Sequence, residues 1–238
     1  KLKGGIWGRF RDSLERRYGG VQGLKTGWVS NTLFEPSVGA KIFANMAAKE
    51  PRLKVWFRST ATEITRTGPA AGQYWSLTIE RNGKPVHITS ALIIDATELG
   101  DVAKKLGVKY DIGMDSRYIT GEEIAPEQET DIIQDLTYVM VLKDYGRDMT
   151  ISKPKNYNPS LFYCSTISKK CKNPKEKQRL WSPEMMITYG KLPNNKYMIN
   201  WPIEGNDYYT NILEMTSAQR AVELEKAKEH SLSFLYYI

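Results

Sequence analysis

The sequence has 238 residues, an ordinary apolar content of 41%, and 34 basic against 27 acidic residues, which gives a net charge of +7. This length is enough for one large domain or two modest ones with a real buried core. No window approaches the roughly 18 consecutive apolar residues that a membrane-spanning helix needs, so we expect no membrane span.

The amino-terminal region predicts two helices. Trp7, Phe10, Leu14 and Tyr18 fall near helical spacing, and a glycine pair follows them as a stop. The stretch FEPSVGAKIFANMAAKEP predicts a second helix, because a proline suits its first turn, apolar residues recur on one side, and another proline follows its end.

The next region predicts extended structure. RLKVWFRSTATEITRTG favours two short extended pieces, and QYWSLTIERNGKPVHIT favours a hairpin with Asn82-Gly83 as its tight turn. Pro85 indicates that the second arm lies at a sheet edge or starts just after this residue. The unbroken apolar run from Ala91 to Ile94 then predicts a strand that is covered on both faces.

A loop of small and acidic residues links this strand to a short helix that is predicted over residues 102–106. Strand, loop and helix in this order are typical of the edge of a doubly wound α/β sheet, where ligands bind beyond the carboxyl ends of the strands. A plain strand-to-helix turn, with Asp101 as the helix N-cap, is a compatible alternative.

The second half predicts a more strand-rich region. The stretch LTYVMVLKDYG favours a strand covered on both faces, and EMMITYGKLPNNKYMINWP favours a hairpin with its turn near Pro193 to Asn195. Thr216 and Gln219 form a possible capping box for a long final helix. Since this helix reaches Ile238 without a stop and the chain starts at Lys1 rather than Met, we expect a fragment of a longer protein.

The cysteines, histidines and basic residues offer no recognisable site. Cys164 and Cys171 have six residues between them, and His87 and His230 lie far away, so neither a metal site nor a Cys–His nucleophile is expected. A local disulfide stays open, but two ordinary thiols are the favoured interpretation. The densest basic run, SKKCKNPKEKQR, lacks interleaved aromatic residues, and predicts an exposed loop rather than a nucleic-acid site.

Five collinear stretches resemble one family, although no G-x-G-x-x-G follows a predicted strand and no G-x-x-x-x-G-K-[ST] loop is present. The stretches are TGWVSNTLFEPSVGAKIF, LIIDATELGDVAKKLGVKY, GMDSRYITGEEIAPEQ, KYMINWPIEGNDYY and QRAVELEKAKEHSLSFLYYI. They resemble the FAD-dependent oxidoreductases with a glutathione-reductase-type fold, in a branch often found in polysaccharide-degrading bacteria.

The resemblance implies an α/β fold, α+β overall, in three parts. Residues 1–115 would be an incomplete FAD/NAD(P)-binding Rossmann-like domain, residues 116–215 a β-rich substrate domain, and residues 216–238 a helix truncated at the chain end. The glycine-rich pyrophosphate segment and a carboxyl-terminal flavin-contacting segment would lie outside this sequence. We therefore expect FAD in the full-length parent, and weak or absent FAD binding in this fragment.

The resemblance also implies candidate cofactor contacts. DATELGD resembles the family's strand-end motif, commonly Asp-Ala-Thr-Gly, with Glu98 in the glycine position, where a positive φ would be costly. STATEIT resembles the segment that passes the adenine, although a plain strand bend fits it equally well. The implied cofactor-binding residues are Ala61, Thr62, Asp95, Ala96, Thr97, Glu98 and Asp101.

On the substrate side, the same resemblance implies five candidates in SRYITGEE and NWPIEGND. They are Arg117, Asn200, Trp201, Asn206 and Asp207. A surface ion pair is the alternative for Arg117, and a core position is the alternative for Trp201.

The expected function is FAD-dependent redox chemistry on an unidentified small molecule or sugar derivative. No catalytic residue is named, because a flavin carries the chemistry and the protein supplies orientation and electrostatics. Two alternatives stay open: a non-catalytic binding module without cofactor, and a polysaccharide lyase, since some relatives are labelled xanthan lyase. No base set against a cation is readable for lyase chemistry. We expect no nucleic-acid partner, and the sequence assigns neither compartment nor oligomeric state.

Overall fold

The structure is a computed structural model that describes residues 4–172 and 180–238. Its helices are α1 (Gly5–Arg17), α2 (Pro36–Ala48), α3 (Asp101–Lys105), α4 (Arg117–Thr120), α5 (Pro183–Tyr189) and α6 (Ser217–Tyr237). Its strands are β1 (Ser59–Thr67), β2 (Tyr74–Arg81), β3 (Lys84–Ser90), β4 (Leu136–Thr137), β5 (Met140–Lys143), β6 (Gly190–Leu192), β7 (Lys196–Ile199) and β8 (Asp207–Tyr208). Short 3-10 helices lie at Val21–Leu24, Ala70–Gly72 and Pro159–Phe162.

The described strands form small antiparallel sheets, in the orders β1-β2-β3, β4-β8 and β5-β7-β6. The mixed α/β class is therefore confirmed. The parallel sheet of a Rossmann-like domain is not directly visible among the residues that the structure describes. No helix of this part of the chain is both long enough and apolar enough to cross a membrane.

Two compact units are distinguishable. The larger unit combines residues 4–49 with the described part of 134–238, and the smaller unit is Glu50–Ile133. The boundaries at residues 115 and 215 that the resemblance implies stay a prediction about domains.

The larger unit has two apolar clusters. In the first, the predicted helices α1 and α2 are confirmed: Phe10 and Leu14 of α1 are buried with Leu24, and Val38, Ile42 and Met46 of α2 pack against them. The second cluster joins α5, α6 and β7 through its buried members Phe162, Met186, Ile199, Trp201 and Phe234. The predicted capping box of α6 is also confirmed, because Thr216 and Gln219 exchange hydrogen bonds.

The predicted hairpin of the smaller unit is confirmed as β2 and β3. Asn82 and Gly83 both have positive φ, 51° and 75°, as a tight turn of this kind requires. Pro85 lies in β3, which pairs with β2 and with no other described strand, and is therefore an edge strand. The segment before the hairpin is one strand, β1, rather than two pieces, with a bulge between Ala61 and Glu63.

The strand predicted from Ala91 to Ile94 is not formed. This segment is irregular, and Leu92 and Ile94 are 81% and 90% exposed. An apolar run becomes a two-sided buried strand only where neighbouring strands pair with it and other elements cover it. No described strand pairs with these residues, so the expectation of a covered strand was wrong.

Two further expectations need correction in the larger unit. The stretch predicted as one covered strand is split into β4 and β5, and Val139 and Val141 are exposed. The predicted hairpin exists as β6 and β7, with Asn194 and Asn195 at positive φ, but the beginning of its expected first arm, residues 184–189, is part of α5. Pro183 occupies the first helical turn of α5, and this start signal outweighs the extended pattern.

The cysteines form a disulfide, so the favoured interpretation of two ordinary thiols was wrong. The turns between Cys164 and Cys171, one of them closed by the hydrogen bond from the Cys171 N–H to the Ser168 carbonyl oxygen, bring the two Cα atoms to 4.7 Å, a separation that suits a disulfide. Of the basic run, Lys169, Lys170 and Lys172 are exposed as expected, while residues 173–179 lie outside the described residues.

A buried carboxylate ties the helical part of the larger unit to the β6–β7 turn. Glu35, which precedes α2, accepts hydrogen bonds from the Tyr18 hydroxyl (2.9 Å) and the Asn194 amide (2.7 Å), and it pairs with the Lys196 ammonium. The Lys196 hydrogen bond is the main reason that the pKa of Glu35 lies below its ordinary value, against the opposing effect of burial.

The first prediction concerns this carboxylate. Glu35→Gln should lower the free energy of unfolding by about 2 kcal/mol at neutral pH, because the Lys196 ammonium loses its anionic partner. A group with a lowered folded pKa gives stability that is present above its unfolded pKa and is lost as pH falls through the folded pKa. Urea unfolding should therefore show that, as pH falls below the ordinary pKa of glutamate, the free energy of unfolding decreases more steeply for the wild type than for E35Q.

Glu229→Gln is the matched control, since Glu229 is an exposed carboxylate of the same unit. If E35Q were no less stable than E229Q at neutral pH, the Glu35 network would have no role in holding the unit together.

Candidate functional site

In the smaller unit, Asp95 organises the loop that the resemblance assigns to the cofactor. Its Oδ1 accepts hydrogen bonds from the Thr97 N–H (2.9 Å) and hydroxyl (2.8 Å), and its Oδ2 accepts one from the Ala103 N–H (2.8 Å). These bonds hold the pKa of Asp95 below its ordinary value, and the bond from the Thr97 N–H has the largest effect. The carboxylate thus stabilises its own turn and the start of α3.

The start of α3 differs from the prediction. Gly100, not Asp101, is the N-cap residue, and Asp101 is the first helical residue, where a negative charge favours the helix dipole. The Thr97 hydroxyl accepts a hydrogen bond from the Asp101 N–H at 2.8 Å. Thr97 and Asp95 therefore take over the capping role that the sequence assigned to Asp101.

Glu98 does not carry the backbone strain that its place in the motif suggested. It lies in a turn, is exposed, and is not among the residues with positive φ. The left-handed position falls two residues later, at Gly100 with a φ of 65°, where glycine has no steric penalty. The sequence thus supplies its glycine where the turn needs it.

Ala61 and Thr62 lie at the bulge of β1, close to α3. Lys105 at the end of α3 donates to the carbonyl oxygens of Ala61 (2.8 Å) and Thr62 (3.4 Å), and the Thr62 hydroxyl donates to the Thr78 carbonyl oxygen (3.1 Å). The structure therefore brings the two predicted cofactor segments together within the smaller unit. Sequence reasoning missed Lys105, because no local spacing relates it to a strand some forty residues earlier.

Arg117 closes the loop that follows α4. Its Nε donates to the Ala125 carbonyl oxygen (3.0 Å), and its backbone N–H donates to the Pro126 carbonyl oxygen (2.8 Å). The guanidinium thus has a backbone partner in its own loop. A substrate role for Arg117 stays a prediction.

In the larger unit, Asn206 and Trp201 lie in the core. The Asn206 Oδ1 accepts from the Trp201 N–H (2.8 Å), and the Asn206 Nδ2 donates to the Ile199 carbonyl oxygen (3.2 Å). The Trp201 indole N–H donates to the Ser165 carbonyl oxygen (2.7 Å). Both side chains are buried, which agrees with the core alternative for Trp201.

Asp207 and Asn200, the other candidates of this segment, are half-buried. Asp207 lies on β8 and accepts a hydrogen bond from the Thr137 hydroxyl. Burial raises the pKa of the Asp207 carboxyl above its ordinary value, and the charge on Asp135 adds to this, against the Thr137 bond and His230. A partly accessible carboxyl with a raised pKa can exchange a proton nearer to neutral pH than an ordinary aspartate.

An aromatic cluster adjoins this segment, and sequence reasoning missed it. The Trp28 ring lies 5.1 Å from the rings of Trp181 and Tyr189 and 6.4 Å from that of Trp201. Its indole N–H donates to the Met185 carbonyl oxygen (2.9 Å), so the ring is held in place, yet Trp28 is 42% exposed. A single tryptophan in a loop gives no periodic signal, so only the fold shows this cluster.

The Asp95-Ala96-Thr97 turn at the start of α3 is the feature of the smaller unit that the resemblance associates with flavoenzymes. The sequence model of the FAD dependent oxidoreductase family matches residues 1–238, and the chain belongs to this family. The resemblance drawn from the sequence is thereby confirmed, and the family name implies FAD as the cofactor. No curated protein and no solved structure matches the chain.

The loop fits one part of FAD better than another. Ala96 and Thr97 are small and exposed, so they permit a close approach to a flat ring or a ribose. The pyrophosphate does not fit here, because the N–H groups of Asp101 and Ala103 at the start of α3 are already bonded to Thr97 and Asp95. The exposed face of this loop thus has small side chains, and the N–H groups of Asp101 and Ala103 are not available to a phosphate.

The second prediction tests the Asp95 turn by amide hydrogen exchange. Asp95→Asn keeps an acceptor oxygen for Thr97 but places an NH₂ group where Oδ2 accepts from Ala103. We expect faster exchange at the Ala103 amide and a smaller change at Thr97, whereas Asp95→Ala should accelerate both. Asp111→Asn, an exposed change in the same unit, is the control. Equal acceleration of both amides in D95N would contradict the assigned division between Oδ1 and Oδ2.

The third prediction concerns the raised pKa of Asp207. A carboxyl whose folded pKa is raised favours folding at low pH, and this advantage is lost as pH rises from its unfolded pKa through its folded pKa. Asn resembles the protonated acid at every pH, so Asp207→Asn should unfold at a higher urea concentration than the wild type at neutral pH. The difference should shrink as pH falls towards the ordinary range of aspartate.

Asp12→Asn is the control, since Asp12 is an exposed carboxylate of the same unit. A D207N variant that is less stable than the wild type at neutral pH, by a margin that does not change with pH, would show that the Asp207 charge stabilises the fold.

Proposed function

We propose that this chain works in an FAD-dependent oxidoreductase that acts on an unidentified small molecule or sugar derivative. The family match over residues 1–238 carries this proposal. FAD, when bound, supplies hydride or electron transfer, and the protein supplies binding, orientation and proton control.

On the cofactor side, the proposal assigns binding to the loop from Asp95 to Asp101 and to the bulge at Ala61 and Thr62. The hydrogen bonds of Asp95 and Lys105 support this, because they hold the loop and the bulge in fixed positions relative to each other. A rigid wall of small residues orients a cofactor with little loss of conformational entropy on binding. Ala96 and Thr97 are the residues that we assign to direct contact.

On the substrate side, the proposal gives the leading role to Asp207. Its half-buried carboxyl can hold or release a proton, and the neighbouring Tyr189 hydroxyl stays protonated, because burial and the Asp207 charge raise the pKa of Tyr189. Asn200 is the other half-buried polar candidate of this segment. Asn206 and Trp201 support this site from the core, where their polar groups already have backbone partners.

A second candidate function is a binding module that keeps the fold without a cofactor. The observation that favours it is the start of α3, whose N–H groups are bonded within the loop rather than left for a phosphate.

The fourth prediction separates the two candidates by titration of FAD into the protein that the complete gene encodes, followed by flavin fluorescence. We expect saturable binding. Ala96→Leu should weaken it about tenfold, because added methylenes at a close contact cost about 1–3 kcal/mol. Ala91→Leu makes the same change at another exposed position of the unit and should leave the affinity unchanged.

A folded protein that takes up no FAD would favour the cofactor-free module. FAD binding that A96L and A91L affect equally would support the oxidoreductase but move the contact away from Ala96.

A further inference from the structure

Two segments of the larger unit contain no acidic residue. Residues 149–172 contain no aspartate or glutamate, and residues 231–238 of the last helix contain no charged side chain. The same stretch, 149–172, has five lysines: Lys153, Lys155, Lys169, Lys170 and Lys172. Positive charge without intervening carboxylates attracts anionic partners.

The fold joins these lysines to tyrosines from two parts of the chain. The Lys153 ammonium lies 5.6 Å from the centre of the Tyr157 ring, which packs against Tyr236 of α6 at 4.9 Å. The Lys170 ammonium lies 5.4 Å from the ring of Tyr163, and this ring lies 6.4 Å from that of Tyr237. We use the name lysine–tyrosine surface for the five lysines of residues 149–172 together with Tyr157, Tyr163, Tyr236 and Tyr237.

This arrangement modifies what the sequence suggested about the basic run. Aromatic residues do accompany Lys170, but they come from Tyr163 and from α6 rather than from the run itself. One lysine lies over the Tyr157 ring and one over the Tyr163 ring, and the Tyr157–Tyr236 pair is edge-to-face at 83°. Base stacking needs open ring faces, and these rings instead contact lysines and one another, so a nucleic acid is a poorer fit.

Exposed apolar side chains accompany the charge. Ile167 is 62% exposed and Leu161 is 47% exposed. Ile167 lies in the loop closed by the Cys164–Cys171 disulfide, and its N–H donates to the Trp181 carbonyl oxygen at 2.9 Å. A short, cross-linked loop therefore holds an isoleucine at the surface, two residues before Lys169.

We propose that the lysine–tyrosine surface, with Ile167 and Leu161, docks the protein on an anionic membrane surface. Lipid head groups offer phosphates to the lysines, tyrosine is favoured at the level of the head groups, and the acyl boundary accepts isoleucine and leucine. A nucleic acid or an acidic polysaccharide would match the lysines but would leave Ile167 in water. This inference concerns the larger unit alone and does not depend on the proposed redox function.

The fifth prediction is tested by co-sedimentation of the protein with vesicles. The protein should bind vesicles of equal parts phosphatidylglycerol and phosphatidylcholine, and not vesicles of phosphatidylcholine alone. Binding should weaken as salt is raised. Lys169→Gln with Lys170→Gln should weaken it at least tenfold, since each lysine near an anionic surface contributes a factor of about five. Ile167→Asn should weaken it without changing its salt dependence.

Lys41→Gln with Lys49→Gln is the matched control, because it removes the same charge from exposed lysines at α2. Equal loss in both double variants would overturn the proposal, since binding would then follow net charge and not this surface. The proposal would also fail if the protein did not bind anionic vesicles. It would fail too if single-stranded DNA or polyuronate bound as tightly as the vesicles and Ile167→Asn had no effect on vesicle binding. The melting temperature of each variant shows whether a loss comes from unfolding.

Discussion

The larger unit depends on the hydrogen bonds that the buried side-chain amide of Asn206 makes with three backbone segments. An amide has one acceptor oxygen and two donor hydrogens, and here the oxygen binds the Trp201 N–H while the nitrogen donates towards the Ile199 and Tyr138 carbonyl oxygens. These backbone groups belong to β7, to the turn after it, and to the link between β4 and β5. Because each buried polar group left unpaired costs about 1–3 kcal/mol, this side chain fixes all three segments together.

The candidate substrate-side residues follow from that fixed turn. Trp201 starts the turn and lies in the core, where its ring contacts the rings of Tyr189 and Trp28. Asp207 comes directly after Asn206 and lies on β8, paired with Thr137. The smaller unit is built differently. Leu77 is the only one of its described side chains in the buried apolar set, and the polar contacts of Asp95 and Lys105 hold its loop and bulge. Its local order thus rests more on hydrogen bonds than on a core.

The sequence predicts those elements whose signals are local. The Asn82-Gly83 turn, the capping box at Thr216 and the proline start of α2 depend on neighbouring residues, and all are present. Elements that depend on distant partners are predicted poorly. An apolar run such as Ala91 to Ile94 carries no information on whether another strand pairs with it. The Cys164–Cys171 disulfide likewise depends on a turn that brings the two Cα atoms close, which spacing in the sequence does not reveal.

The same distinction separates the two candidate carboxylates. Asp95 and Asp207 both stand in motifs that the family resemblance marks, and the sequence does not distinguish their chemistry. The structure gives Asp95 donors from Thr97 and from the start of α3, which stabilise its charge, whereas Asp207 accepts from the Thr137 hydroxyl and loses solvent through burial. Their pKa values therefore move in opposite directions. A carboxylate with satisfied oxygens is suited to holding a loop, and a desolvated one is suited to proton exchange. For this reason, within the described residues, Asp207 is the stronger candidate for proton exchange, and Asp95 is the stronger candidate for holding its loop in place.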